Sequence, residues 1–294
     1  MPSSVETLTQ INLDDLVASF GWQGRPIVAD LLRGAFLRPA RIFAEQMVEF
    51  DAAIGARDLD AAARLALRHY VRDVRVYGRE HIPAGAFLAL SNHPGMTDTL
   101  SLFAALDRPD LRIIAHQRPF LETLPDLSKH LLFLNQDPAS RMSLVRTMSV
   151  HLRNGGAALT FPAGKIEPDP NVYDGALESL GDWTDSAGVF LRLAPETAVL
   201  PVLVRGVVWD KAARHPLLAI KRSRFEKEKL ATALQLLAHV TLRSRDVHVS
   251  VQIGRPVTAA QLGDTNTRVM HAAVLAEMKV LIENPPVGKG ISAL

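Results

Sequence analysis

The chain has 294 residues, with 33 Lys plus Arg against 31 Asp plus Glu, a net charge of +2 and no Cys. The missing thiol excludes disulfides, Cys-ligated metal, iron–sulfur clusters and a cysteine nucleophile, and the balanced charge argues against a dedicated nucleic-acid binder. Residues 82–97 form the longest run free of acidic and basic side chains, but Pro83, Gly85, Pro94 and Gly95 interrupt it, and it falls short of the ~20 apolar residues of a bilayer span. The N-terminus shows neither the basic nor the apolar region of a secretory signal. The expectation is a cytoplasmic protein that at most lies on the inner face of a membrane. In chain order, apolar spacing predicts helices over 11–20, 26–36, 40–50 and 59–71, with Pro39 separating the second from the third. From residue 74 the pattern changes. Strands are expected at 74–77, 86–90, 111–115, 131–135, 157–161, 198–204 and 247–253. Helices are expected between them at 99–106, 121–129, 140–153, 186–193 and 225–242, with a last one at 268–282. Short apolar strands alternating with helices imply an α/β fold with a mostly parallel sheet flanked by helices. The predicted organisation is a helical N-terminal subdomain over 1–72 and an α/β domain over 73–294.

In such sheets ligands bind beyond the carboxyl ends of the strands, so the strand exits are where chemistry is expected. Two of them carry it. The first reads Ser91-Asn92-His93-Pro94-Gly95-Met96-Thr97-Asp98. His93 and Asp98 lie five apart across a strand-to-helix turn and can converge. A carboxylate on one imidazole nitrogen fixes the tautomer and leaves the other free to take a proton, which makes a general base. Chance alone supplies about 0.65 such pairs in a chain of this composition, so spacing by itself leaves catalytic and capping roles equally open. The second exit reads Phe161-Pro162-Ala163-Gly164-Lys165-Ile166-Glu167. Gly164 permits a backbone turn whose N–H groups point at an anion, and Lys165 adds charge beside it. On this segment alone a plain Pro-Gly turn with a solvated lysine is the favoured reading.

Together the two exits, about sixty residues apart, resemble the motifs of the glycerolipid acyltransferase superfamily. The resemblance extends to the lead-in Val76-Tyr77-Gly78-Arg79-Glu80-His81-Ile82-Pro83, to Leu132-Phe133-Leu134-Asn135 and to Val199-Leu200-Pro201-Val202, and it covers roughly residues 74–253. It implies transfer of a fatty acyl group from acyl-CoA or acyl carrier protein to a hydroxyl of a lysophospholipid or another lipid or polyol acceptor. His93 would be the base and Asp98 its support. The thioester is a co-substrate and no cofactor or metal is implied. Asn92, Gln136, Arg141, Phe161, Pro162, Ala163, Gly164, Lys165 and Glu167 would bind substrate. A direct transfer needs no covalent acyl-enzyme, in keeping with the absent Cys and the absence of a Gly-x-Ser-x-Gly elbow.

The departures are as informative as the matches. Gln136 stands where the family has an Arg, Ala163 where it has a Glu, and Ile166 where it has a second Arg. A phosphate prefers bidentate, charge-assisted donors, so the acceptor is expected to differ from ordinary glycerol-3-phosphate. Arg141, Lys165 and Glu167 are the residues placed to compensate. Two basic stretches, 25–41 and 211–229, suit an anionic membrane surface, an acidic carrier protein or the phosphates of CoA. A thioesterase using the same dyad on water and a non-catalytic lipid-binding scaffold are the alternative readings.

Overall fold

The computed structural model describes residues 4–21, 26–135, 137–262 and 266–294. The chain opens with three helices, α1 (Ser4–Phe20), α2 (Pro26–Ala56) and α3 (Leu59–Leu67). Next come β1 (Asp73–Tyr77), β2 (Phe87–Ser91), α4 (Asp98–Leu106), β3 (Arg112–His116), the short α5 (Pro119–Glu122) and α6 (Pro125–Ser128), β4 (Leu131–Leu134), α7 (Pro138–Arg153) and β5 (Ala157–Thr160). The remainder is α8 (Ala176–Ser179), α9 (Ala187–Leu193), β6 (Ala198–Arg205), α10 (Asp210–Ala213), α11 (Arg224–Leu242), β7 (His248–Ile253), α12 (Ala259–Leu262), α13 (Thr267–Glu283) and β8 (Ile291–Ser292).

One sheet holds the strands in the order β4-β3-β5-β2-β6-β7-β1-β8. From β4 to β6 all neighbours are parallel. The pair β7 and β1 is parallel within itself but meets β6 antiparallel, and β8 closes the edge antiparallel to β1. The sheet is thus mostly parallel with helices on both faces, and the direction reverses twice, at β6–β7 and at the β1–β8 edge. Alternation along each strand divides two cores. Phe87 and Ala89 of β2 join Ala157 and Leu159 of β5 and Leu200, Val202 and Val204 of β6 under α3 and α4. Leu88, Leu90, Ala158, Val199 and Leu203 point the other way, onto α7, α9 and α13. Because β2 and β6 are buried on both faces, they read in the sequence as continuous apolar runs.

The N-terminal helices share the first of these cores: Leu8, Phe43, Met47, Phe50, Leu59 and Leu67 pack in the same cluster as the sheet. Two expectations need correction. Helix α2 runs unbroken through Pro39. A proline in a helix interior removes one hydrogen bond and costs ~3 kcal/mol in isolation. Here Ala40, packed with Leu13 and Leu16 of α1, anchors the residues beyond it, and Asn12 Nδ2 donates to the Ala40 carbonyl at 3.3 Å. Tertiary burial outweighs the local penalty. Conversely, the single helix expected over 121–129 is two short ones, because Pro125 holds Leu124 out of helical conformation (φ −111°, ψ 88°).

The segment from β5 to α8 runs as a strap across the strand exits. Asp169, fully buried, fastens it to β6: Oδ1 accepts from the N–H groups of Asn171 and Gly206, both at 2.9 Å, and Oδ2 accepts from Val208 at 3.0 Å. Gly206 has φ +76°, and a Cβ there would meet the His248 carbonyl at 2.3 Å, so only glycine fits that turn. Truncating Asp169→Ala strands three donors, each costing ~1–3 kcal/mol when left unpaired. The expected loss in unfolding free energy by urea titration is about 3 kcal/mol or more; a loss below about 1 kcal/mol would show that the strap is fastened elsewhere.

Candidate active site

Strand β2 delivers Ser91 and Asn92 to the carboxyl end of the sheet. Asn92 extends the strand's pairing with its side chain: Nδ2 donates to the Val204 carbonyl and Oδ1 accepts from the Val204 N–H, both at 2.8 Å. An amide side chain carries one donor and one acceptor in the same relation as a peptide group, so the loop stays fixed to β6 for one more step. His93 follows on that fixed base.

Asp98, the first residue of α4, is fully buried. Oδ2 accepts from His93 Nδ1 at 2.8 Å and from the Gly95 N–H at 2.9 Å, while Oδ1 accepts from the Thr99 N–H and from Thr99 Oγ1. Its place at a helix N-terminus further favours the anion. An ionised carboxylate only accepts, so Nδ1 of His93 carries the hydrogen and Nε2 of the neutral ring is a bare lone pair. Nε2 has no hydrogen-bond partner among the described residues, and the side chain is 30% exposed. The ring lies against Phe161, with centroids 4.5 Å apart and planes inclined by 31°. Burial acts most strongly on His93 and pulls its pKa down. The charge of Asp98, the hydrogen bond to it and the charge of Glu167 together outweigh burial and the opposing Arg118, so the imidazole titrates above the ordinary histidine value. The arrangement can accept a proton at Nε2 and stabilise the resulting imidazolium.

The second strand exit comes up beside the first. Phe161 is in ring contact with His93, and Pro162 is tied down by Thr184, whose N–H and Oγ1 both reach its carbonyl at 3.3 Å. Gly164 takes φ +62°, as a Pro-Gly turn requires, and its N–H donates to the Phe161 carbonyl at 3.0 Å. That donor is therefore spent inside the turn rather than offered to an anion. Lys165 Nζ pairs with Asp182 at 2.8 Å, both side chains about half exposed. Arg141 Nε donates to the Asn135 carbonyl at 2.9 Å and braces the exit of β4. Gln136 lies outside the described residues. Glu167 is not in the mouth: it is 2% exposed beneath the His93 loop. The structure also brings in Arg118, two residues beyond β3, an exposed cation near enough to act on His93 and without an ion pair among the described residues. Its position at a strand exit was the available signal. No three His, Asp or Glu side chains gather as metal ligands among the described residues.

Residues 73–205 match the family model described as Acyltransferase. The matched segment runs from the first residue of β1 to the last of β6 and contains both exits. Among solved structures, the chain is similar to the 1-acyl-sn-glycerophosphate (LPA) acyltransferase PlsC from Thermotoga maritima. The similarity covers 94% of this chain and 96% of that one at 16% identity, with a TM-score of 0.42. At that level it assigns no role to any residue here. No curated protein matches the chain significantly.

The electrostatic account of His93 has a direct check. In Asp98→Asn the carboxylate charge is gone while burial remains, so the His93 pKa should fall from above the ordinary histidine value to below it. A pH titration of the imidazole Cε1–H resonance reads this; a titration that stays in place would show that Asp98 does not hold the ring's proton.

Proposed function

We propose that the chain, whose residues 73–205 match the Acyltransferase family model, transfers a fatty acyl group from a thioester, acyl-CoA or acyl carrier protein, to a hydroxyl of a lysophospholipid or other lipid or polyol acceptor. The observation that carries the proposal is the His93 Nδ1–Asp98 Oδ2 bond of 2.8 Å with Nε2 left open at the sheet's carboxyl end. Nε2 takes the acceptor's proton as its oxygen forms a bond to the thioester carbonyl carbon. The tetrahedral intermediate then collapses, the C–S bond breaks, and the leaving thiolate takes the proton back from the imidazolium. Asp98 stabilises the charged ring throughout, and the protein forms no acyl intermediate.

The cations bordering the mouth are few. Lys165 is neutralised by Asp182 and Arg141 braces the backbone, which leaves Arg118 as the exposed guanidinium nearest in effect to His93. This supports an acceptor less dependent on a bound phosphate than glycerol-3-phosphate. His93→Ala should lower thiol release from acyl-CoA or the acyl carrier by ~10²–10⁴-fold with unchanged far-UV circular dichroism. Wild-type release should depend on added lipid acceptor, with the acylated acceptor seen by mass spectrometry. Release that needs no acceptor would establish the thioesterase instead, and no release from either donor the scaffold.

We further propose that the protein meets its lipid at the surface of a membrane. No helix among the described residues is long and apolar enough to cross one. On α2, Ile27 and Leu31 are 85% and 74% exposed and one helical turn apart, with Leu37 also exposed. Leu32 and Phe36 of the same helix pack with Phe20 and Leu218, and Leu217 and Ile220 beside Leu218 are exposed next to Lys221 and Arg222. The two basic stretches thus meet on one side of the molecule, where exposed aliphatic and cationic side chains together suit an anionic interface. Replacing Ile27 and Leu31 with Glu should reduce co-sedimentation with phosphatidylglycerol vesicles about tenfold or more and leave turnover of a water-soluble acceptor unchanged. Undiminished vesicle binding would place the contact elsewhere.

A further inference from the structure

Glu167 is the one buried carboxylate at this end of the sheet that touches the His93 loop without touching the imidazole. The strap and the loop are joined by two reciprocal bonds: the Glu167 N–H donates to the His93 carbonyl at 2.9 Å, and the His93 N–H donates to Glu167 Oε2 at 3.1 Å. The other oxygen, Oε1, accepts from Trp183 Nε1 at 2.7 Å and from Ser179 Oγ at 3.2 Å. Two of these three donors, a peptide N–H and an indole N–H, can only donate, so the cage is shaped for a carboxylate. No cation is paired with it among the described residues, however, and the residue is 2% exposed. The three residues between Ala163 and Glu167 carry the chain from the mouth to its underside. Hence the carboxylate is supplied from below, while Ala163 presents only a methyl group above.

We infer that Glu167 is a positioning residue that holds the His93 backbone through its N–H and, by its own charge state, sets how readily the His93 imidazole takes a proton. The inference rests on the reading of His93 as the base. The charged groups that act on His93 are Asp98, Glu167 and Arg118, and the one that acts on Glu167 is His93 itself. Burial pushes the Glu167 carboxyl up to about 7, against the opposing pull of its three donors and of His93. Each charge thus bears on the other: ionised Glu167 raises the His93 pKa, and the proton taken by His93 during turnover strengthens the ionised form of Glu167 in return. The two residues share macroscopic titration steps rather than owning one each. As pH falls, protonation of Glu167 withdraws negative charge from beneath the ring and makes the imidazole harder to protonate, so the acid limb of the pH–rate profile is spread over a wider pH range than one group gives.

The test uses the full chain and two variants. In Glu167→Gln the shape and two-sided bonding remain but the charge is lost. The His93 Cε1–H titration should move to lower pH, and the acid limb of the pH–kcat profile should move with it and sharpen to a single titration. In Trp183→Phe one donor to Glu167 is lost, the carboxyl is ionised over less of the range, and the His93 titration should move the same way by a smaller amount. A merely structural role would lower folded yield or melting temperature and leave both pH dependences in place. An unmoved His93 titration in Glu167→Gln, or in Trp183→Phe should the first variant not fold, overturns the inference. A moved titration with an unmoved pH–rate profile overturns the reading of His93 as the base instead.

Discussion

A carboxylate cut off from water has to be surrounded by donors, and the turn after β2 is organised by meeting that demand for Asp98. The Gly95 and Thr99 N–H groups, the Thr99 hydroxyl and His93 Nδ1 all converge on its two oxygens. Leaving a buried charge unsatisfied is far costlier than any single contact in the loop. The path of residues 93–99 therefore follows from the acid at position 98. The imidazole is one of the donors that acid recruits, which fixes its tautomer and leaves its other nitrogen open.

The same principle recurs twice along the strap from β5. Glu167 is satisfied by the His93 loop, Trp183 and Ser179, and Asp169 by the backbone beyond β6. Glu167 and Asp169 thus tie three strand exits together. Arg205, whose charge acts on Asp169, is itself buried and gives its guanidinium to the carbonyls of Leu281 and Ile282 in the last turn of α13. The floor of the site is built from internal carboxylates, with cations kept to its rim. In a medium of low polarity, such fixed charges act on a neighbouring imidazole more strongly than solvated ones do.

The first helices do not stand apart from this arrangement. Leu8, Phe50 and Leu67 share the core that underlies β2 and β6, so they support the sheet whose ends carry the site. Their outward face, with Ile27 and Leu31, lies on the side shared with the turn near Leu218. The N-terminal helices and the sheet that carries the His93 loop are thereby parts of one packed core.

Most of the architecture was legible in the chain. Buried parallel strands must be apolar on both faces, so 86–90, 157–161 and 198–204 declared themselves, and the strand-exit rule led to His93, Asp98 and the Phe161–Gly164 turn. Pro39 misled because a local penalty says nothing of the packing that offsets it, and Pro125 because periodicity over 121–129 hides a break. The antiparallel β6–β7 pairing had no local signature at all. Residue types and their order alone determined the α/β class, the paired histidine and aspartate and the absence of a thiol. Only the tertiary structure decided that Gly164 spends its N–H within its own turn, that Glu167 lies under the His93 loop instead of in the mouth, and that the charge of Arg118 acts on His93. Those roles depend on which groups are denied water, and burial is a property of the folded whole that no short stretch of sequence encodes.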